Sequence, residues 1–252
     1  MSMNEQEERW LTGFTEGDGN VGVYKIGLHY AKVTWGQKER EVLDYIAHLL
    51  STGNVRIKRG TGYQLAYAGK TCVPLLEVFA KHVVSKNFLR RLSDVLEFLE
   101  LPPTTTHEPS IDWLSGFWDA EGSSSNRPIL FIAQKDREIL DIITDKFGGR
   151  VQPLQDYNMH QWYLCGSEAR KLAHEIMLRS HKPAKAKRLR NNFEGPTYYE
   201  LHKEDVLARQ HTYYESHKEE RLACAHKYNK KKWQERKLVR EYIKKHPEVL
   251  TK

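Results

Sequence analysis

The feature that most constrains this chain is an internal repeat. The segment WLTGFTEGDG at 10–19 returns as WLSGFWDAEG at 113–122, an offset of 103 residues. Two later blocks, which start at Gln37 and Tyr63, return with an offset of 97 residues. One difference explains both offsets, because the stretch between the first two blocks is six residues shorter in the second copy. Three blocks in the same order therefore predict two copies of one structural unit.

Each copy has the same predicted pattern of helices and strands. Apolar residues at helical spacing mark helices at the first block and after the second, and alternating β-branched residues mark strands between them. The predicted order is α-β-β-α-β-β-α in each copy, which gives an α+β fold. The predicted segments are a strand at 20–26, a helix at 39–50, a hairpin at 54–67 and a final helix at 73–82, then in the second copy a strand at 129–132, a helix from 137 and a final helix at 168–177.

Prolines and changes in composition divide the chain into four parts. The segment 101–109 contains three prolines, which stop any helix, and we interpret it as a linker. The predicted parts are a first unit at 1–100, the linker at 101–109, a second unit at 110–195 and a tail at 196–252. The tail contains a shorter repeat of 15 residues beginning TYYE and becomes strongly basic from Lys227 to Lys245, so we expect a basic helical tail.

Composition restricts the class of protein. The net charge of +7 over 252 residues favours a nucleic-acid partner, since duplex DNA carries about one phosphate charge per 1.7 Å of axis. No apolar run is long enough for a membrane span, and the acidic N-terminus lacks the apolar region of a signal peptide. Three widely spaced cysteines argue against a zinc module and a disulfide framework. We therefore expect an intracellular protein in a reducing compartment, with no preference among an organelle, a phage and a microbial host.

The first block of each copy predicts a helix with a smooth face. Gly13 and Gly17 are four residues apart, as are Gly116 and Ala120, so each pair lies on one side of its helix. Small residues let another backbone approach closely. The natural partner of such a face is the matching face of the other copy, and we expect the two helices to pack against each other.

Both first-block helices end in an acid. Asp18 and Glu121 lie in the last turn, where a negative charge is unfavourable with the helix dipole. If the helices pack, the two acids also repel each other, and a bound cation would relieve both effects. A second matched pair, Glu16 and Asp119, points to another side of the helix and is expected to form structural hydrogen bonds.

These two blocks resemble the motif of the LAGLIDADG homing endonucleases. The segments 11–19 and 114–122 fit its nine positions, and the predicted order of elements is that family's unit. The resemblance covers about residues 5–195 and leaves the tail outside. It implies a monomeric, pseudo-twofold enzyme in which saddle-shaped antiparallel sheets grip the major groove of double-stranded DNA at a long, nearly palindromic target.

The resemblance also assigns roles to individual residues. The metal ligands that it implies are the carboxylates of Asp18 and Glu121 and the carbonyls of Gly17 and Ala120, and the cofactor is Mg²⁺ (or Mn²⁺). Glutamines that order water at the scissile phosphate are implied at Gln37 and Gln134. For the basic partner, Lys86 and Lys182 match best, and the competing candidates are Lys38, Lys135, Arg40 and Arg137.

The implied reaction is metal-assisted hydrolysis of one phosphodiester in each DNA strand. Polar side chains on the outward strand faces would read bases, since Arg and Lys suit guanine and Gln and Asn suit adenine. The hairpin alternation places Val55 and Ile57 on one face and Arg56 and Lys58 on the other. The candidate DNA-binding residues are Tyr24, Lys25, His29, Lys32, Arg56, Lys58 and Gln64 in the first unit and Arg127, Arg150, Gln152, Asn158 and Gln161 in the second.

Two other functions remain open on the same fold. One is an intron maturase that binds RNA, and the other is a DNA-binding protein that does not cleave. Intact acids in both motifs favour the homing endonuclease over the non-cleaving protein. The basic tail is expected to contact phosphates, and intron RNA stays a second candidate partner. An intron or an intein would have carried such a reading frame, and no membrane partner is expected.

Overall fold

The structure is a computed structural model that describes residues 3–26, 28–58, 60, 62–125, 128–154, 157–194, 203–219, 227–228, 230 and 232–234. It divides into two compact units, Met1–Thr197 and Tyr198–Lys252. The first unit contains both copies of the repeat. In the second unit the described residues include a helix of 14 residues, α9 (Lys203–Ser216). The described residues include no helix long and apolar enough to cross a membrane.

In each copy of the repeat the described residues form four α-helices and four strands. The first copy contains α1 (Glu5–Asp18), β1 (Gly19–Ile26), β2 (Leu28–Gln37), α2 (Arg40–Leu49), β3 (Arg56–Lys58), β4 (Gly62–Ala68), α3 (Val73–His82) and α4 (Lys86–Phe98). The second copy contains α5 (Ile111–Glu121), β5 (Gly122–Ser124), β6 (Ile129–Gln134), α6 (Arg137–Phe147), β7 (Arg150–Leu154), β8 (Met159–Cys165), α7 (Gly166–Met177) and α8 (Pro183–Phe193).

The strands form two antiparallel sheets with the same topology. Their orders are β1-β2-β4-β3 and β5-β6-β8-β7. Side chains alternate between the two faces of each sheet. In the first sheet Val33, Trp35 and Leu65 lie on the buried face, and Lys32 and Thr34 lie on the opposite face. The α+β class with two antiparallel sheets is thus confirmed, and each sheet has one face in a core and one face open.

The close packing of the two motif helices is also confirmed. Asn4 caps α1 in a reciprocal capping box with Glu7, and Ser110 caps α5. A Cβ added to Gly13 would lie 2.0 Å from the carbonyl oxygen of Trp113, and one added to Gly116 would lie 1.9 Å from that of Trp10. No side chain fits at such distances, so both glycines are required where the helix backbones touch.

The structure differs from the sequence prediction in two elements. Each copy ends in two helices, because α4 and α8 follow the helix that was expected to close the unit. Their start signals were missed, although Ser85 caps α4 and Pro183 occupies the first turn of α8. The strand β3 is a three-residue edge strand, and the Ile57 side chain is 82% exposed. The first copy of the tail repeat, apart from Lys203 and Glu204, lies outside the described residues, as does most of the basic segment, whereas the second copy lies in and just after α9.

Candidate functional site

The buried acid Glu16 joins the first motif helix to the second copy. Its carboxylate accepts a hydrogen bond from Trp113 Nε1 at 3.0 Å and others from the backbone N–H groups of Val84 and Ser85 at 2.8 and 2.7 Å. Burial raises the pKa of Glu16 to about 7, and the three N–H donors act in the opposite direction. Glu16 therefore fixes the start of α4 against the helix pair.

Asp119 makes the mirror set of contacts from the second motif helix. It accepts hydrogen bonds from Trp10 Nε1 at 3.1 Å, from the backbone N–H of His181 at 2.8 Å and from the hydroxyl of Ser180 at 2.5 Å. Burial raises its pKa as well. The structural role expected for Glu16 and Asp119 agrees with these contacts, since each acid positions the segment that leads into a terminal helix.

Asp18 lies at the end of α1 in contact with residues of both copies. Its Oδ2 accepts a hydrogen bond from Gln37 Nε2 at 2.7 Å, and Gln37 Oε1 accepts one from Lys182 Nζ at 2.8 Å. The same ammonium lies 3.8 Å from Asp18 Oδ2. Lys182 is only 6% exposed, so its charge acts at close range and is poorly screened by water. The structure thus brings three of the predicted site residues together.

Glu121 occupies the matching place at the end of α5. Burial raises the pKa of Glu121, the negative charge of Asp18 raises it further, and a hydrogen bond from the Gln134 side chain lowers it. The two motif acids are therefore close enough to repel. Gln134 contacts Glu121 as Gln37 contacts Asp18, and both predicted acid–glutamine pairs are present.

A further buried lysine, which the sequence analysis missed, adjoins this acid pair. Lys185 Nζ donates hydrogen bonds to the carbonyl oxygens of Trp118 at 2.9 Å and Ala120 at 3.0 Å, in the last turn of α5. The Trp118 carbonyl also accepts the backbone N–H of Gly122, the C-cap of α5, so Lys185 is its second donor. Burial and the charge of Lys182 together lower the pKa of Lys185 to about 8, against the opposing effect of the nearby carboxylates. An alignment of the copies at an offset of 97 residues would have indicated this lysine, because it takes the place of Phe88.

The donor set of the site fits a hard divalent cation. Asp18 and Glu121 provide two carboxylates, and Mg²⁺ typically binds one or two carboxylates together with waters and substrate phosphates. The described residues contain no group of three or more His, Cys, Asp and Glu side chains that could enclose a metal by themselves. The Ala120 carbonyl, expected as a ligand, already accepts a hydrogen bond from Lys185. A metal here would therefore depend on phosphate and water for the rest of its ligands.

Lys86 does not occupy the position that was expected of it. Its side chain is 66% exposed and forms an ion pair with Glu138 at the start of α6. The residue that begins α4 as its N-cap is Ser85, whereas the N-cap of α8 is Lys182. Lys86 and Lys182 are therefore not at equivalent positions in the two copies. A role for Lys86 at the scissile phosphate stays a prediction without a supporting contact.

The competing basic residues lie on the surface. Arg40 pairs with Asp44, and Arg137 pairs with Asp141, one helical turn away in each case. Lys38 and Lys135 are exposed. Such pairs contribute little to stability and none of these four side chains is buried beside the motif acids.

Most of the candidate DNA-binding residues share the open faces of the sheets. Strand register places Tyr24, Lys32, Arg56, Lys58 and Gln64 on the open face of the first sheet and Arg150, Gln152 and Gln161 on that of the second. Lys25 and His29 pair with each other on the other face, where the His29 ring lies 6.4 Å from Phe98 of α4. Asn158 lies in the turn between β7 and β8 with a φ of 47°, and Arg127 lies outside the described residues.

With two antiparallel sheets and two acid-ended helices packed at their glycines, the chain has the fold of the LAGLIDADG homing endonucleases. I-SmaMI bound to an uncleaveable DNA with a TTCT central four superposes with a TM-score of 0.52 at 12% identity, over 81% of this chain and 92% of that one. The LAGLIDADG meganuclease I-AabMI, bound to uncleaved DNA, gives 0.51 at 19% identity, over 75% and 88%. I-CpaMI, also bound to uncleaved DNA, gives 0.51 at 16% identity, over 77% and 90%. No protein-family model and no curated protein sequence matches the chain.

Proposed function

We propose that this protein is a site-specific endonuclease that hydrolyses one phosphodiester in each strand of a DNA duplex with a divalent metal. The observation that carries the proposal is the contact of Asp18 with Gln37 and Lys182, beside the repelling carboxylate of Glu121. Two carboxylates, two amides and a buried ammonium at the junction of two motif helices have no structural need to be together. They suit a phosphate and its metal.

The residues of the site would divide the work of hydrolysis among them. Water attacks phosphorus and the bond to the 3′ oxygen breaks, which leaves a 3′-hydroxyl and a 5′-phosphate. A bound Mg²⁺ would favour the attacking water and the leaving oxygen. Asp18 and Glu121 would hold that metal, and Gln37 and Gln134 would orient water by hydrogen bonds. Lys182 would offset the negative charge that grows on the phosphate oxygens.

The open faces of the two sheets are the proposed DNA-binding surfaces. The first face presents Lys32, Arg56, Lys58 and Gln64, whose donors can contact phosphates and base edges in a major groove. I-SmaMI, I-AabMI and I-CpaMI were each solved with bound DNA. Because both motif acids belong to one chain, we also propose that a monomer is the active form.

Cleavage selection from a randomised duplex library in Mg²⁺ tests the proposal. We expect wild-type protein to enrich one long target. Asp18→Asn and Glu121→Gln should each bind that target but make no double-strand break. I-SmaMI was solved bound to an uncleaved DNA target in the presence of calcium ions, so Ca²⁺ is a suitable non-cleaving control. Folded wild-type protein that cut no duplex, the insertion site of its own gene included, would overturn the proposal. Binding without cleavage would instead identify a DNA-binding protein.

A further inference from the structure

The two copies carry different residues at one position beside the motif acids. At an offset of 97 residues, buried Leu92 and Leu96 of α4 match buried Leu189 and Phe193 of α8. The same offset pairs the N-cap of α4, Ser85, with the N-cap of α8. That second N-cap is a lysine. The scaffolds therefore correspond, and the side chains at the N-caps do not.

Matching buried acids hold the chain at the start of both terminal helices. Glu16 binds the backbone N–H groups of Val84 and Ser85, and Asp119 binds that of His181, one residue before Lys182. Each terminal helix also begins beside the opposite copy, because Asn87 of α4 donates a hydrogen bond of 2.7 Å to Asp136, the N-cap of α6.

The N-cap of α8 adjoins the glutamine of the opposite copy. Lys182 reaches Gln37 and Asp18 of the first copy. By the pseudo-twofold relation, position 85 corresponds to a place on the side of Gln134 and Glu121, and the adjacent Lys86 and Asn87 contact Glu138 and Asp136 of the second copy. A serine at that position cannot place an ammonium there.

Two other lysines, Lys86 and Lys185, do not give the Gln134 side the ammonium that Lys182 gives the Gln37 side. Lys86 follows Ser85 directly, but its ammonium pairs with Glu138 and its side chain is exposed. Lys185 interacts electrostatically with both Asp18 and Glu121 and donates to two carbonyls of α5. The charge of Lys182 also acts on Glu121, so the feature that distinguishes the two sides is the hydrogen bond from Lys182 to Gln37. The glutamine on the Asp18 side therefore has a lysine partner, and position 85 gives none to the glutamine on the Glu121 side.

We propose that the two DNA strands are cut at unequal rates, that the strand at Asp18, Gln37 and Lys182 is cut first, and that Ser85 sets the rate of the slower cut. This inference rests on the proposed endonuclease function. It follows from the transition state, in which negative charge grows on the phosphate and a preorganised cation stabilises it. A nicked duplex is then the expected intermediate.

The test uses full-length protein and a supercoiled plasmid that contains one selected target, with the two strands distinguished by end labels on a linear copy. We expect nicked circles to accumulate before linear product, with one strand cut first. Lys182→Met should slow that strand by about 10²-fold, the usual effect of losing one group that stabilises transition-state charge, and should slow the other strand far less.

A gain-of-function variant distinguishes a role of position 85 in cleavage from a merely structural role. Ser85→Lys should speed the slower strand and leave the faster strand unchanged. Ser85→Ala removes the same cap without adding an amine, so it should speed neither strand. Circular dichroism and binding to the target in Ca²⁺ check that each variant is folded.

Several outcomes would overturn the inference while leaving the endonuclease proposal intact. These are equal rates for the two strands in wild type, equal slowing of both strands by Lys182→Met, and no difference between Ser85→Lys and Ser85→Ala. If Ser85→Lys does not fold, the rates at which wild type and Lys182→Met cut the two strands still test the inference. A folded wild type that cuts nothing overturns the proposed function itself.

Discussion

Glu16 and Asp119 act at the scale of single residues as buried links between the two copies. Each carboxylate accepts an indole N–H from the opposite motif helix and a backbone N–H from the segment before a terminal helix. Removing a charged acceptor from such a place leaves buried donors unpaired, which is more costly than the net value of the bonds. The Asp119 link therefore holds the segment that leads into Lys182, and the Glu16 link holds the start of α4.

The pH dependence of stability should reveal the ionisation of Glu16. Its pKa is about 7 in the folded protein against an ordinary value of 4.5, so the folded state binds the proton more tightly. The stability from this group is fully present below pH 4.5 and is lost as pH rises through 7. We expect the free energy of unfolding of wild type, minus that of Glu16→Gln, to fall over this range. Denaturant titrations at a series of pH values measure it, and a constant difference would contradict the prediction.

At the scale of elements, the contact between α1 and α5 determines where the two acids lie. The helices touch at Gly13 and Gly116, and a Cβ at Gly17 would lie 2.4 Å from that of Ala120. Because the backbones are this close, a small displacement of one helix moves Asp18 relative to Glu121. Metal binding between the acids should therefore be sensitive to this interface.

Gly116→Ala should destabilise the protein by about 3 kcal/mol or more, since the new methyl would lie 1.9 Å from the Trp10 carbonyl oxygen and the helices must separate. Gly36→Ala is the matched control, because a Cβ there meets nothing within 4 Å and should change stability by about 0.5 kcal/mol at most. Thermal and denaturant unfolding measure both changes. Equal effects of the two substitutions would show that the helix contact is not the cause.

The two sheets should read different features of DNA. Thr34 and Ala66 form a cross-strand pair on the open face of the first sheet, and the equivalent pair in the second sheet is Phe131 and Tyr163. These two aromatic residues are half-buried and belong to neither core. An apolar face in the major groove favours the methyl groups of thymine.

Replacing thymidine by deoxyuridine removes only that methyl group. We expect the replacement to weaken binding of a selected target more in the half-site at the second sheet than in the half-site at the first. Phe131→Ala should abolish the difference, and Thr34→Ala, the change at the equivalent position, should leave it. Binding isotherms of wild type and both variants, each with the unmodified target and with deoxyuridine in one half-site or the other, measure the effect. An equal response of both half-sites would contradict this assignment.

At the scale of the whole molecule, positive charge is distributed unevenly along the chain. Residues 197–252 contain 14 Lys and Arg against nine Asp and Glu, so this segment supplies +5 of the net +7. The remaining chain is close to neutral. Long-range attraction of DNA should therefore depend on the tail more than on the unit that contains the candidate site.

Removal of 197–252 should weaken DNA binding and reduce its salt dependence, because fewer counterions are released per protein bound. The logarithm of the binding constant, measured against the logarithm of salt concentration, gives the slope. Charge-neutral replacement of the lysines at 230–232 in the full chain is the matched control and should reduce the slope in part. An unchanged slope in the truncated protein would show that the tail does not contact phosphates.

The sequence alone determined the repeat, the order of most elements and the helix pair. A repeat shows directly in the order of residues, and the spacing of glycines and acids on a helix follows from 3.6 residues per turn. Glu16 and Asp119 were also set apart as structural acids by their position. These features are local, so periodicity is enough to predict them.

Tertiary structure decided which lysines approach the acids. Lys86 and Lys182 look alike in sequence, but Lys86 pairs with Glu138 on the surface and Lys182 is buried against Gln37 and Asp18. Lys185 came from a helix that the sequence pattern did not separate from its neighbour. A lysine ammonium stands at the end of a long flexible chain, and contacts between residues more than a hundred positions apart decide where it is held.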